Sequence, residues 1–191
     1  MQIFRTITDP SLRMLLAEGA VGVMPTDTVW GVVCRAQDEQ AVAHLYAAKH
    51  REHKPGTLIA ASVEQFIALG IPAQYAREGE AWWPAPVSVI LPAGPELFYL
   101  HQGLESLACR VPANPALREL LTQTGPLLTS SANQPGEPPA TSLAEAQKYF
   151  GDTVDFYIDA AAAPPTAPST VVRVTPENGI EVLRQGAITI K

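Results

Sequence analysis

The fold is decided by AVGVMPTDTVWGVVC, residues 20–34. The apolar run 20–24 predicts a short buried strand, and Gly31–Cys34 predicts a second one. Between them lies PTDTVW, which places two hydroxyls, a carboxylate and an indole at the end of a strand. Ligands of α/β proteins tend to bind at strand ends. The same residues also suit a polar turn in which Asp27 and Thr28 bond to the local backbone, and the sequence leaves both interpretations open.

Strand and helix patterns alternate on both sides of this stretch. Asp9 and Pro10 predict the start of a helix that Gly19 ends, and residues 38–49 predict an amphipathic helix. Further strands are predicted at 57–61, 87–91, 107–111, 127–130, 154–158, 170–174 and 180–183, and further helices at 62–69, 114–124 and 142–150. We expect an α/β domain with a twisted mixed sheet flanked by helices. The strands follow one another too closely for a simple doubly wound order.

Composition limits the class of protein. The 191 residues are 47% hydrophobic and 17% charged, with a mean hydropathy of +0.06. Such a chain can bury a sizeable core, and its length predicts a single domain over residues 1–191. It has neither a signal-peptide pattern at its start nor an apolar run of the roughly 20 residues that span a bilayer, so we expect a cytoplasmic protein without a membrane segment.

The net charge is −6, whereas proteins that bind nucleic acids broadly are usually basic. Any anion site must therefore be local. The two cysteines, Cys34 and Cys109, both lie in apolar surroundings and are predicted to be buried free thiols. Neither they nor the four histidines show the spacing of metal ligands.

The segment KHREHKPG, residues 49–56, gathers three of the chain's 13 Lys and Arg residues within six positions. It follows a predicted helix, and cations at a helix C-terminus also favour the helix dipole. That explanation suits Lys49 better than Lys54. A phosphate chain needs several converging cationic donors, which this cluster could supply, although no Walker loop is present.

The segment LLTSSAN, residues 127–133, is an apolar strand that ends in a row of hydroxyl and amide side chains. Such rows bind phosphate through hydroxyl and backbone N–H groups, although serine-rich turns are also common. No G-x-S-x-G pattern surrounds Ser130 or Ser131, which argues against a hydrolase nucleophile.

Arg110 stands alone in the apolar strand of SLACRVP, residues 106–112. An unpaired buried charge is costly, so the guanidinium must have a partner. The partner is either one of the 19 acidic residues of the chain or the carboxylate of a substrate.

Taken in order, seven segments between about Gly19 and Gly186 resemble the YrdC-like family of threonylcarbamoyl-AMP synthases. They are PTDTVWG, the K-x-R…K-P cluster, WPAPVSVIL, CRVP, SANQPG, PSTVV and LRQG. The resemblance implies a twisted mixed sheet around a deep, positively lined cavity. It also implies that the enzyme is a nucleotidyltransferase that converts ATP, L-threonine and bicarbonate into threonylcarbamoyl-AMP and pyrophosphate. A separate transferase complex would then modify adenosine at position thirty-seven of transfer RNAs.

The resemblance also implies site residues. It assigns the contacts with threonine to Thr28, Arg110 and Ser169. It assigns the contacts with ATP to a larger group, namely Lys49, Arg51, Lys54, Ser106, Thr129, Ser131, Asn133 and Arg184. A magnesium ion would share the phosphate charge, although the sequence shows no carboxylate cluster to hold it.

Some positions depart from the family pattern. Trp30 replaces a usual tyrosine, and the spacing from Arg51 to Lys54 is one residue shorter than the commonest one. Two alternatives follow from these departures and from the wider family. One is a non-catalytic relative that binds nucleotide or double-stranded RNA, and the other is the carbamoyl-adenylate step of hydrogenase maturation.

Overall fold

Ten strands and seven α-helices make up the part of the chain that the computed structural model describes, residues 1–50, 54–159, 167–174 and 179–190. The strands are β1 Gln2–Phe4, β2 Gly22–Pro25, β3 Trp30–Arg35, β4 Thr57–Ile59, β5 Val87–Pro92, β6 Ser106–Arg110, β7 Leu127–Ser131, β8 Phe156–Ile158, β9 Thr170–Val174 and β10 Ile180–Arg184. The helices are α1 Pro10–Ala17, α2 Glu39–Ala48, α3 Val63–Leu69, α4 Ala73–Glu78, α5 Phe98–His101, α6 Pro115–Thr124 and α7 Leu143–Phe150. Short 3-10 helices lie at Gly79–Trp82 and Pro95–Leu97.

All ten strands belong to one sheet, in the order β1-β8-β2-β3-β7-β4-β6-β5-β9-β10. The pairs β1–β8, β2–β8, β4–β6 and β5–β9 are parallel, and the other five pairs are antiparallel. This mixed order confirms the predicted fold class and the expectation that the sheet is not simply doubly wound.

Four of the described helices, α1, α2, α6 and α7, begin at residues whose side chains cap free backbone N–H groups, whereas Ser62 before α3 makes no such bond. Asp9 accepts from Ser11 at 2.8 Å, and Asp38 accepts from two N–H groups of α2 at 3.0 Å. Asn114 and Ser142 cap α6 and α7 in the same way. The caps set the first residue of each of these four helices and confirm the helix starts predicted at these residues.

Helices cover the two faces of the sheet unequally. One face packs Val32, Leu58 and Val89 against α2, α3, α4 and α7. The other face packs Val33 and Ile59 against α1 and α6. Because side chains alternate along a strand, neighbouring residues such as Val32 and Val33 enter opposite cores.

The second core, on the face of α1 and α6, stops part-way across the sheet. Its strand residues come from β1, β2, β3, β4, β7 and β8. Arg110, the register partner of Ile59, continues this face into β6, and Ser88 continues it into β5. The uncovered part of this face is therefore polar, and it is where the candidate site lies.

One strand and two α-helices, β1, α4 and α5, were not predicted from the sequence, and neither were the two 3-10 helices. Arg51 of the basic cluster and residues 160–166 of the Ala- and Pro-rich tract lie outside the described residues. Across the described ranges, no helix combines the length and the apolar character needed to cross a membrane.

Candidate functional site

A cavity of about 110 Å³ lies over the uncovered part of the sheet. Hydroxyl groups and two guanidinium groups dominate its wall. It is lined by Thr26, Thr28, Val29, Gly31, Pro55, Gly56, Thr57, Arg110, Thr129, Ser130, Ser131, Pro168, Ser169 and Arg184. All three residues that the resemblance assigns to threonine are among them, and we call this space the first cavity.

The turn between β2 and β3 crosses this face of the sheet. Strands β7 and β4 lie between β3 and β6, yet Asp27 of the turn contacts Arg110 at the end of β6. Within the turn, the Thr26 hydroxyl donates to the carbonyl of Val29 at 2.7 Å. The interpretation in which Asp27 and Thr28 bond to the local backbone is wrong: Asp27 accepts from Arg110 and from the Ala113 N–H across the sheet, and the hydroxyl of Thr28 contacts the side chains of Thr26 and Arg110.

Arg110 and Asp27 form a buried ion pair. Arg110 Nη2 lies 3.0 Å from Asp27 Oδ1, and the two side chains are only 4% and 3% exposed. The internal-acid partner considered for Arg110 therefore exists, but the guanidinium also lines the first cavity. Its Nε atom is buried and has no hydrogen-bond partner among the described residues.

The pKa of Arg110 lies below its ordinary value, mainly because burial disfavours the charged form. Asp27 opposes this shift, and the positive charge of Arg184 adds to it. Burial also lowers the pKa of Arg184. Both guanidinium groups line the first cavity, and two cations in one cavity wall are a typical environment for a bound anion.

A chain of hydrogen bonds links these two arginines. Arg110 Nη1 donates to the Ser88 hydroxyl over a long 3.4 Å, and the hydroxyls of Ser88 and Ser169 share a bond of 2.9 Å. Arg184 donates to the Ser169 carbonyl at 2.8 Å and to its hydroxyl at 3.1 Å. Ser88 is fully buried and holds two assigned residues together.

A second cavity of about 410 Å³ lies beside the first one. It is lined by Lys49, His50, Lys54, Ser131, Asn133, Pro135 and Gly136. Ser131, the last residue of β7, lines both cavities. The structure thus brings Lys49 and Lys54 of the basic cluster together with the row of small polar side chains, which is about 80 positions away in sequence.

Lys49 holds the loop after β7 in place. Its ammonium group donates to the Ser131 carbonyl at 2.6 Å, to the Asn133 side-chain oxygen at 2.9 Å and to the Asn133 carbonyl. The Ser131 hydroxyl also donates to the Asn133 side chain at 2.7 Å. Lys49 therefore positions the wall of the second cavity and also gives that wall a positive charge.

The residues that the resemblance assigns to ATP do not all line the second cavity. Ser106 lines neither cavity, and its hydroxyl donates to the Leu104 carbonyl at 3.2 Å. Thr129 and Arg184, which the resemblance assigns to ATP, line the first cavity and not the second. Trp30, which replaces the usual tyrosine, is 3% exposed, packs in the apolar core and lines neither cavity.

Two site residues carried no assigned role in the sequence. Asp27 belongs to the quoted turn, but nothing in the sequence identifies Arg110 as its partner. Ser88 is a single hydroxyl in the apolar run VSVIL, residues 87–91. It carries the same signal as Arg110, a polar group that must be satisfied inside a buried strand.

Cys34 and Cys109 are buried free thiols, as predicted. Burial raises the pKa of both thiols well above the ordinary value, which removes them as nucleophiles. The described part of the chain contains no group of three or more His, Cys, Asp or Glu side chains that could hold a metal ion.

The family model Sua5_yciO_yrdC, described as "Telomere recombination", matches residues 14–186. The chain belongs to this family. It is 38% identical over 163 residues to the threonylcarbamoyl-AMP synthase of Chromohalobacter salexigens, covering 82% of this chain and 86% of the relative. It is 35% identical over 148 residues to the threonylcarbamoyl-AMP synthase of Halorhodospira halophila, covering 75% and 78%.

Among solved structures, the chain is similar to P. abyssi Sua5 complexed with L-threonine, with a TM-score of 0.82 and 28% identity. The alignment covers 97% of this chain but 57% of that one, so the Sua5 protein is considerably longer. The relatives named synthases confirm that the chain is an enzyme of the nucleotidyltransferase kind. They also confirm the family suggested by the seven segments.

Proposed function

We propose that this protein forms threonylcarbamoyl-AMP and pyrophosphate from ATP, L-threonine and bicarbonate. The observation that carries the proposal is the pair of adjoining cavities that share Ser131. One is suited to a small polar carboxylate, and the other is suited to a phosphate chain. The names of the relatives and the threonine bound to P. abyssi Sua5 support the same reaction.

The first cavity suits an amino acid bound by its carboxylate. Arg110 and Arg184 supply guanidinium donors, which suit a carboxylate geometrically. The hydroxyls of Thr28 and Ser169 suit the side-chain hydroxyl of threonine. The described lining holds no acidic side chain to stabilise a substrate ammonium group. This lining favours an uncharged amine, which can react with bicarbonate to give a carbamate.

The second cavity suits the triphosphate of ATP. Lys49 and Lys54 supply positive charge, and the loop of Ser131 and Asn133 supplies small polar groups. Arg51 retains its proposed role in binding phosphate. Thr129 and Arg184 line the first cavity and would complete the nucleotide site where it meets the amino acid, and Ser106 keeps its assignment although it lines neither cavity. The shared position of Ser131 points to the α-phosphate as the group that meets the amino acid.

The reaction needs no protein nucleophile. A carbamate oxygen of the threonine derivative attacks the α-phosphorus and forms a new P–O bond. The bond between that phosphorus and the bridging oxygen to the β-phosphate breaks, and pyrophosphate leaves. The protein contributes orientation of the two substrates and neutralisation of the phosphate charge.

Magnesium fits this site as part of the ATP complex. The described residues offer hydroxyl and amide oxygens beside the phosphate positions, and magnesium prefers oxygen ligands and often binds chiefly to substrate phosphates. When bound, the ion would screen the negative charge of the phosphates. Lys49 and Lys54 share that screening.

The proposal includes the cellular role. The single domain over residues 1–191 would act in the cytoplasm and supply the threonylcarbamoyl group to a transferase complex that modifies transfer RNA. The net charge of −6 favours a small-molecule product over direct RNA binding as the link to transfer RNA.

The test is pyrophosphate release by the purified protein. We expect release from ATP with magnesium only when both threonine and bicarbonate are present, and mass spectrometry should detect threonylcarbamoyl-AMP. Release that ignores threonine would refute the proposal. Activity with carbamoyl phosphate in place of threonine and bicarbonate would instead indicate the hydrogenase-maturation chemistry, and RNA binding without ATP or threonine binding would indicate the non-catalytic alternative.

A further inference from the structure

Asp27 is held by two contacts that leave its carboxylate little freedom. Its Oδ1 atom accepts from Arg110 at 3.0 Å, and its Oδ2 atom accepts from the Ala113 backbone N–H at 3.1 Å. The first contact joins the turn after β2 to the end of β6. The second joins it to the loop before α6. The loop is fixed in turn by Arg118, which donates to the Ala113 carbonyl at 2.7 Å.

These contacts fix one side of the Arg110 guanidinium and leave other donors for a ligand. Arginine carries five N–H donors. Nη2 faces Asp27 and Thr28, and Nη1 makes only the long bond to Ser88. The buried Nε has no partner in the described ranges. A buried donor without a partner is costly, and the guanidinium that carries it lines the first cavity, where a ligand would supply an acceptor.

Charge leads to the same conclusion. Arg110 and Arg184 together carry two positive charges, and Asp27 carries one negative charge, which leaves a net charge of +1. One substrate carboxylate balances this charge. Without Asp27, the two guanidinium groups would face each other with no fixed counter-charge, and Arg110 could turn towards another acceptor.

We propose that Asp27 is the positioning residue that orients Arg110 towards the carboxylate of the amino-acid substrate. This inference rests on the proposed function, because it takes threonine as the occupant of the first cavity. Asp27 acts through Arg110 and does not touch the substrate. Its loss should therefore weaken recognition of the carboxylate specifically, and not binding in general.

The experiment compares L-threonine with L-threoninol, which replaces the carboxylate by a CH₂OH group. Calorimetry gives both affinities for the wild type, Asp27→Asn and Asp27→Glu. Asp155→Asn is the matched control, because Asp155 also accepts a backbone N–H, from Val21 at 2.8 Å, but, unlike Asp27, it forms no ion pair with an arginine among the described residues. ATP affinity is measured for each variant.

We expect the wild type to prefer threonine strongly. Asp27→Asn should reduce that preference about tenfold or more, because small misplacements of a binding group cost this much. ATP affinity should stay within about twofold, and Asp155→Asn should behave as the wild type. Asp27→Glu keeps the charge and should retain part of the preference. It also replaces Asp27→Asn in the test if that variant does not fold.

A preference that is unchanged in the Asp27 variants overturns the positioning role while leaving the proposed function intact. Equal losses for threonine, threoninol and ATP also overturn it, because they indicate a structural defect. A wild type that binds no threonine overturns the proposed function, and this inference with it.

Discussion

Replacing Arg110 by methionine separates the structural role of this residue from its role in binding. The substitution keeps an apolar stem of similar length but removes the positive charge that faces Asp27. Among the described residues, the carboxylate then keeps the backbone N–H of Ala113 as its hydrogen-bond donor. Removing one partner of a buried ion pair leaves an uncompensated charge, which typically costs about 3–5 kcal/mol.

The lower end of this range applies, because the guanidinium position beside Asp27 lines a cavity that water can enter. For a chain of 191 residues, each kcal/mol shifts Tm by about 2–4 °C, so about 3 kcal/mol lowers Tm by about 6–12 °C. The double variant Arg110→Met with Asp27→Asn removes both charges. It should recover at least half of the lost stability, because neutral replacements of buried pairs are often tolerated.

Thermal unfolding and threonine calorimetry on the wild type and the two variants measure both effects. We expect the double variant to regain stability but not threonine binding, since the guanidinium is absent from both Arg110 variants. If Arg110→Met unfolds within about 2 °C of the wild type, the pair is not a structural ion pair. Threonine affinity that survives in the double variant would refute the binding role of Arg110.

Three further predictions follow from the packing of the site. Gly31→Ala should cost about 1–3 kcal/mol and weaken threonine binding, because a Cβ there would lie 2.4 Å from a hydroxyl of β7 that lines the first cavity. Lys49→Met should weaken ATP binding about tenfold or more, because charge-assisted bonds to residues 131–133 are lost. Cys34 and Cys109 should resist thiol reagents at pH 8 until the protein unfolds, because burial raises the pKa of both thiols.

Melting curves and threonine calorimetry check the Gly31→Ala prediction. ATP calorimetry checks the Lys49→Met prediction, and thiol titration checks the prediction for the cysteines. For the lysine, Lys148→Met is the matched control, because Lys148 lies in the last turn of α7 and lines neither cavity. Unchanged threonine affinity in Gly31→Ala would contradict the assigned cavity. Equal ATP losses in the two lysine variants would contradict the role of Lys49, and fast labelling of the folded protein would contradict the burial of the thiols.

Much of the fold could be predicted from local patterns in the sequence. Apolar runs predicted nine of the ten described strands, and capping residues such as Asp38 and Asn114 predicted helix starts. Strand β1 was missed because its three residues are mostly exposed and its pairing with β8 depends on tertiary contacts. Helices α4 and α5 were missed because six and four residues are too short for a helical period.

The parts of the site that could be predicted are those where a polar residue interrupts an apolar sequence pattern. Arg110 in an apolar strand and the hydroxyl row after β7 both carried such a signal. The identity of its partner Asp27 could not be predicted, because it depends on a turn that crosses two strands of the sheet. The resemblance also grouped Ser106 with the nucleotide residues, whereas the structure directs its hydroxyl to the carbonyl of Leu104.

The most direct test of the two-cavity arrangement is a crystal structure with L-threonine and a non-hydrolysable ATP analogue. We predict the threonine carboxylate within hydrogen-bond distance of Arg110, the phosphates against Lys54 and Asn133, and the α-phosphate beside Ser131. Threonine bound elsewhere, or phosphates remote from the loop after β7, would contradict the arrangement.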